Sequence, residues 1–131
     1  MMDDEIELLP VSKLKPHEEF TLGRLRALIK ALKKCGVLWF PVLVDNKDFI
    51  ILDGHHRVEA FKRMGLRKIL CRLVDYDDPE IKVFPRRKNI PITKEIVRKA
   101  ARAGRIFPHK TTRHIYPEQH KKYNVPLGEF E

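Results

Sequence analysis

The stretch Asp53-Gly54-His55-His56-Arg57 follows the apolar run Ile50-Ile51-Leu52 and leads into Val58-Glu59-Ala60. It reads as a buried strand, a one-glycine turn and a helix start. A helix start leaves backbone N–H groups unpaired and carries the positive end of the helix dipole. Gly54 lets a ligand approach that backbone closely. His55, His56 and Arg57 put cationic or potentially cationic groups where acids are ordinarily favoured, so a compensating anion is expected, and phosphate is the obvious one. Asp53 ends the strand. Its residue type fits holding Mg²⁺, orienting a histidine and capping the helix alike.

Two further groups of residues can do chemistry. In His17-Glu18-Glu19, two acids precede a helical pattern. They suit the helix dipole, and either can also accept a proton from a substrate hydroxyl as a general base. His109-Lys110-Thr111-Thr112-Arg113-His114 supplies cations, hydroxyls and imidazoles with almost no apolar content. That composition suits a solvated basic loop or a clamp on carboxylate and phosphate, in which hydroxyls donate and Arg113 forks onto an anion. Arg86-Arg87-Lys88 is a further basic loop that can contact a nucleotide. No G-x-x-x-x-G-K-[ST] loop and no protein-kinase motif set occurs, so a nucleotide has to be held by the helix start and scattered cations.

The elements that position these groups can be read from periodicity. Ile6–Leu9 is a short strand ended by Pro10. Thr21 caps a helix with Leu22, Leu25, Leu28, Ile29 and Leu32 on one face, closed by Gly36. Two strands, 41–44 and 49–52, flank the turn Asp45-Asn46-Lys47-Asp48. The helix after Gly54 carries Val58, Phe61 and Met64 and stops at Gly65. Lys68–Val74 is a strand and 81–84 a short one. Thr93 caps a helix that ends at Gly104. Beyond Phe107 periodicity fades, and Pro108, Pro117 and Pro126 argue against regular structure. The predicted class is α+β: a small mixed sheet flanked by helices, with a helix and an irregular arm at the C-terminus. One domain is expected over 1–131, with sheet and helices in 1–84 and a basic connector, helix and substrate-binding arm in 85–131.

Composition bounds the remainder. The chain has 131 residues, 43% of them hydrophobic, enough for a real core. No apolar run approaches the 18 or so residues that span a bilayer, and the acidic Met1–Glu5 segment lacks a secretory layout. A cytoplasmic protein is expected. Cys35 and Cys71 read as free core thiols in a reducing compartment, and Trp39 as core or core edge. Twenty-seven Lys and Arg against eighteen Asp and Glu give a net charge of +9, which attracts polyanions without choosing among them. Scarce Asn and Gln beside abundant charge point toward a thermophilic source.

The motifs together resemble the ParB/sulfiredoxin superfamily. They are similar above all to its archaeal free serine kinases, in Leu14-Lys15-Pro16-His17-Glu18-Glu19, in Pro41-Val42-Leu43-Val44 with Leu52-Asp53-Gly54-His55-His56-Arg57, and in the Lys110–His114 arm. The resemblance covers roughly residues 6 to 115. It implies transfer of a terminal phosphoryl group from ATP or ADP to L-serine, giving O-phospho-L-serine, with Mg²⁺ as cofactor and a place in amino-acid metabolism toward cysteine. It implies Glu18 as the catalytic base, with Glu19 as the alternative. Asp53, Gly54, His55, His56 and Arg57 are implied to hold nucleotide phosphate, with Asp53 also a Mg²⁺ ligand, and Lys110, Thr111, Thr112, Arg113 and His114 to hold substrate. His55 stands where a sulfiredoxin has its catalytic cysteine, which argues against sulfinic-acid reduction. A ParB-like DNA- or nucleotide-binding domain without kinase activity is the alternative.

Overall fold

Successive side chains of a strand point to opposite faces, so a strand buried at every position must be covered on both sides. The strand Val42–Asp45 is buried throughout, and two separate cores flank it. The computed structural model describes residues 5–117 and 121–131. In chain order the elements are β1 (Glu5–Pro10), α1 (Leu22–Cys35), β2 (Val37–Leu38), β3 (Val42–Asp45), β4 (Ile51–Asp53), α2 (His55–Arg63), β5 (Lys68–Val74), β6 (Lys82–Pro85), α3 (Lys94–Ala103), β7 (Thr112–Ile115) and β8 (Val125–Pro126). Short 3₁₀ turns occupy Val11–Lys13 and Leu127–Phe130.

The main sheet has the order β1-β5-β3-β4. β3 pairs antiparallel with β4 and parallel with β5, and β1 closes the other edge of β5 antiparallel. A parallel pair needs a crossover. Here the chain leaves β4, runs through α2 and returns as β5. The turn at the start of α2 therefore sits at the end of β4, beside β3.

On one face of the sheet, Val42, Val44 and Ile51 pack against Leu25 and Leu32 of α1 and Val58 and Phe61 of α2. On the other face, Leu43, Ile50 and Leu52 meet Tyr76, Ile81 and Val97 and Ala101 of α3. The Thr93 side chain caps α3 by accepting from the Ile96 N–H at 3.1 Å, and Gly104 ends it with φ +71°. Gly36 ends α1 in the same left-handed conformation. At the start of α1 the Thr21 side chain makes no cap bond; its backbone N–H has another partner, described below.

Three expectations require correction. The C-terminal arm is regular in part: β7 pairs with β6, β8 pairs with β2, and the Phe130 ring lies edge-on to Phe61 with centroids 5.0 Å apart. Periodicity missed this because each strand is only two to four residues long and is defined by its partner. Cys71 is buried, but Cys35 is exposed at the end of α1. Trp39 is also exposed, with the Lys122 ammonium 5.1 Å from its ring.

Phe130 is fully buried in the first core, and its carbonyl accepts from the Arg67 N–H at 3.0 Å. Phe130→Ala is expected to cost ~3–5 kcal/mol, the usual loss for truncating a buried aromatic ring. The urea-unfolding free energy checks this, and a loss under about 1 kcal/mol would show that the C-terminal turn is not part of the cooperative core.

Candidate active site

Backbone pairing on two sides holds the turn 15–19. The Lys15 N–H donates to Phe49 O at 2.8 Å and Lys15 O accepts from Ile51 at 2.9 Å, which lays the turn along the start of β4. On its other side, Phe107 donates to His17 O and Glu19 donates to Phe107 O, both at 2.8 Å. Imidazoles from the start of α2 add two more ties. His55 Nε2 accepts the His17 N–H at 3.2 Å, and His56 Nε2 accepts the Thr21 N–H at 3.1 Å. His56 thereby satisfies a donor at the start of α1.

This changes the electrostatics expected at the turn. A ring nitrogen that accepts a backbone N–H is unprotonated, so each imidazole is neutral and carries its hydrogen on Nδ1. Burial pushes both histidines below their ordinary value, His55 far below; neighbouring imidazoles add to the effect at His55 and chiefly Arg24 at His56. Arg57 keeps its charge, but its guanidinium donates to Phe40 O at 2.7 Å, to Pro41 O at 3.0 Å and to Asp53 Oδ2 at 3.4 Å. Each of the three side chains expected to demand an anion thus has a protein partner, and the two imidazoles bring no charge. The attraction for an anion comes from the backbone start of α2 and its dipole.

Gly54 answers a packing constraint. Its φ is +111°, and a Cβ there would stand 2.5 Å from Val42 Cγ1. Tight contact between the turn and β3 requires glycine, whatever a ligand requires.

From the other side comes the arm. Lys110 is one of two non-glycine residues with positive φ among the described residues, at +56°. That conformation turns successive N–H groups toward one point, an arrangement suited to an anion. The occupant is the Glu18 carboxylate. Oε2 accepts from the Lys110 N–H at 3.2 Å, and Oε1 accepts from the N–H groups of Thr111 (3.2 Å) and Thr112 (2.9 Å) and from the Thr112 hydroxyl (3.0 Å). The Thr111 hydroxyl donates to the Pro108 carbonyl, and the Arg87 guanidinium holds His109 O at 2.7 Å.

Glu18, the Asp53–Arg57 turn and, from the arm, Lys110, Thr112, Arg113 and His114 line one cavity of about 550 Å³, whereas Thr111 does not. Within the arm, Lys110 and Arg113 are exposed, whereas Thr111, Thr112 and His114 are buried. Two residues of the wall were not singled out by chemistry at the sequence level: Arg24 of α1 and Tyr116 after β7. Arg86, noted there only within a basic loop, lines it too. Arg24 arrives because the Thr21–His56 bond sets the first turn of α1 beside that of α2. No local sequence signal marks that contact. Glu19 is exposed and lines a separate cavity of about 280 Å³, which Glu18 and His55 also border.

His17 and His114, the latter on the cavity wall, are both buried. Burial lowers His17 to about 4, with the nearby Ile51 backbone opposing the shift. Burial and the nearby His17 lower His114 to about 3. Burial pushes the Tyr76 hydroxyl up, so it stays protonated, and it shares a 2.7 Å hydrogen bond with His114 Nε2. Among the described residues, no group of three or more His, Cys, Asp or Glu is placed to hold a metal on protein ligands alone.

A small α+β domain with a basic cavity over a glycine-started helix has the features that suit an anion, and comparison places it more narrowly. The ParB N-terminal domain model matches residues 2–89, about two thirds of the chain, and the chain belongs to that family. The ATP-dependent L-serine kinase of Staphylothermus marinus is 36% identical over 80 residues, which cover 58% of this chain and 32% of that protein. The ADP-dependent L-serine kinase of Thermococcus kodakarensis is 31% identical over 80 residues, 58% of this chain and 33% of that protein. The matched segment thus spans about a third of these relatives' length. A solved free serine kinase in complex with AMP superposes with a TM-score of 0.87 at 17% identity, covering 99% of this chain and 95% of that one, and shares the fold. No helix among the described residues is long and apolar enough to cross a membrane.

Two predictions follow from the packing. Gly54→Ala must displace Val42 or the turn, and its cost should reach ~1–3 kcal/mol or more in chemical unfolding; an unchanged midpoint would mean that β3 yields freely. The second concerns pH. An unfolded histidine titrates near 6.5, whereas His17 and His114 do so at about 4 and about 3 in the folded chain. Below about 6.5 the unfolded chain therefore binds more protons. Stability is full above that pH and declines as pH falls toward the folded values, by up to ~1.4 kcal/mol per histidine per unit. The urea midpoint should drop between pH 6.5 and 5, and His17→Gln should flatten the slope. A midpoint constant over that window would count against neutral buried imidazoles.

Proposed function

We propose that this chain is a free serine kinase, transferring the terminal phosphoryl group of ATP or ADP to the hydroxyl of L-serine to give O-phospho-L-serine. One observation carries the reading: a candidate base, a helix start and a ring of exposed cations share a single cavity. The kinase relatives supply the chemistry it fits. In phosphoryl transfer the transition state is loose, so positioning and charge stabilisation dominate over covalent chemistry.

The roles follow from placement. The first N–H groups of α2 and its dipole receive the terminal phosphate. Arg24, Arg86, Lys110 and Arg113 surround the cavity and answer charge on the remaining phosphates and the serine carboxylate. Glu18 accepts the serine proton as the hydroxyl oxygen bonds to phosphorus and the bridging P–O bond breaks, leaving ADP or AMP. Three of the four donors to its carboxylate fall on Oε1 and one on Oε2. Oε2 keeps a lone pair for the substrate hydroxyl. Glu19 faces elsewhere, which favours Glu18.

Mg²⁺ fits this site through Asp53. Its side chain is 40% exposed on the cavity wall and shares one oxygen with Arg57. Mg²⁺ is commonly held by one or two carboxylates together with substrate phosphates. When bound it neutralises charge on the donor phosphates.

The second reading is a ParB-like nucleotide- or DNA-binding domain without transferase activity, which family membership favours. One experiment separates the two. Purified protein is incubated with Mg²⁺, ATP or ADP, and a panel of free amino acids, and followed by phosphorus NMR. Phosphoserine formation that saturates in serine supports the kinase. No phosphorylated amino acid with either donor sinks it, and DNA binding that falls steeply with salt then identifies the alternative. Glu18→Gln is expected to lower turnover ~10²- to 10⁴-fold, the usual contribution of a general base, while nucleotide binding persists. Undiminished turnover in that variant would remove Glu18 from the mechanism.

A further inference from the structure

Beside the Glu18 carboxylate lies a hydrogen-bond chain whose direction is fixed by chemistry. Thr112 Oγ1 is 3.0 Å from Glu18 Oε1 and 3.1 Å from His17 Nε2. A carboxylate only accepts, so the single hydroxyl hydrogen of Thr112 points to Glu18. The hydroxyl oxygen then receives its second hydrogen bond from His17, whose Nε2 must carry a hydrogen. The reverse arrangement would place two acceptors 3.0 Å apart with no hydrogen between them. We propose that His17 and Thr112 form a positioning pair for Glu18, the imidazole donating through Nε2 to the threonine hydroxyl and the hydroxyl donating to Oε1, so that the carboxylate presents Oε2 to the substrate.

The pair is built as a rigid support. Both residues are buried. The His17 ring is wedged edge-on between His55 and His114, at centroid distances of 4.6 and 5.8 Å, with Phe107 at 6.5 Å. Its backbone is held at N–H by His55 and at the carbonyl by Phe107. A ring fixed in this way cannot rotate to release the hydroxyl without moving the turn. Depression of its proton affinity by burial keeps it neutral at ordinary pH, so a single hydrogen remains to be placed. His17 and Thr112 thus act through Glu18, and Thr112 is assigned here a role apart from that of Lys110 and Arg113.

The catalytic consequence rests on the kinase reading; the geometry does not. The first measurement therefore needs no activity: long-range ¹H–¹⁵N NMR of the imidazoles in the full chain near neutral pH. The wild-type His17 should show the Nε2–H tautomer. Thr112→Val should disturb that signal and Thr112→Ser restore it. A wild-type Nδ1–H tautomer would overturn the pair outright. In the phosphotransfer assay, Thr112→Val should lower kcat about 10- to 100-fold, the scale of a misplaced reacting group, with little change in nucleotide KM. Thr112→Ser should recover most of it. A Thr112→Val enzyme with unchanged kcat would overturn the positioning role. Should Thr112→Val not fold, His17→Gln and His17→Leu decide: glutamine offers an N–H to the hydroxyl and should retain turnover, leucine does not, and equal losses count against the pair. Wild-type protein that never phosphorylates serine removes the kinase reading, while the tautomer still decides the geometry.

Discussion

The carboxylate of Glu18 lies in a cradle of three backbone N–H groups and a hydroxyl that belong to a segment more than ninety residues away. An anion enclosed by converging N–H groups is a strong local constraint, because the Thr111 and Thr112 donors left without it would be buried or half-buried polar groups lacking a partner. Glu18 therefore keeps Lys110 in its left-handed conformation and brings β7 to the edge of the cavity. It also ties the N-terminal turn to the arm that closes the site.

Around that contact, polar groups that look functional in one dimension serve structure in three. His55 and His56 accept backbone N–H groups, and Arg57 gathers two carbonyls and Asp53. They fasten α1, β3 and the 15–19 turn to the start of α2. Charge at the site is supplied from outside the motif, by Arg24, Arg86, Lys110 and Arg113. A motif made of structural ties can be shared by proteins of different activity. Such sharing is consistent with one family model covering a chain similar to serine kinases and a fold used by ParB proteins. The chemistry then depends on what lines the cavity opposite the turn.

Much of the main sheet could be read beforehand. Lys68–Val74 is a strand over its whole predicted length, Thr93 caps α3 through its side chain, and Gly36, Gly65 and Gly104 adopt left-handed backbone at or just beyond helix ends. Those signals are local: an apolar run, a side-chain oxygen three residues before an N–H, a residue without Cβ. The segments that were misread depend on distant partners. β7 is four residues of mixed polarity, and only its register with β6 makes it a strand.

By itself, then, the amino-acid order determined the α+β class, the course of the main elements and the three polar segments that meet at the cavity, since residue type and short spacing govern all of these. Tertiary structure alone decided which atoms of those segments are free. Whether a histidine is a cation or a neutral acceptor, whether a threonine faces substrate or a carboxylate, and which of two adjacent glutamates meets the cavity all depend on burial and on partners far along the chain. Hydrogen-bond capacity is finite, and a group satisfied inside the fold is no longer available to a ligand.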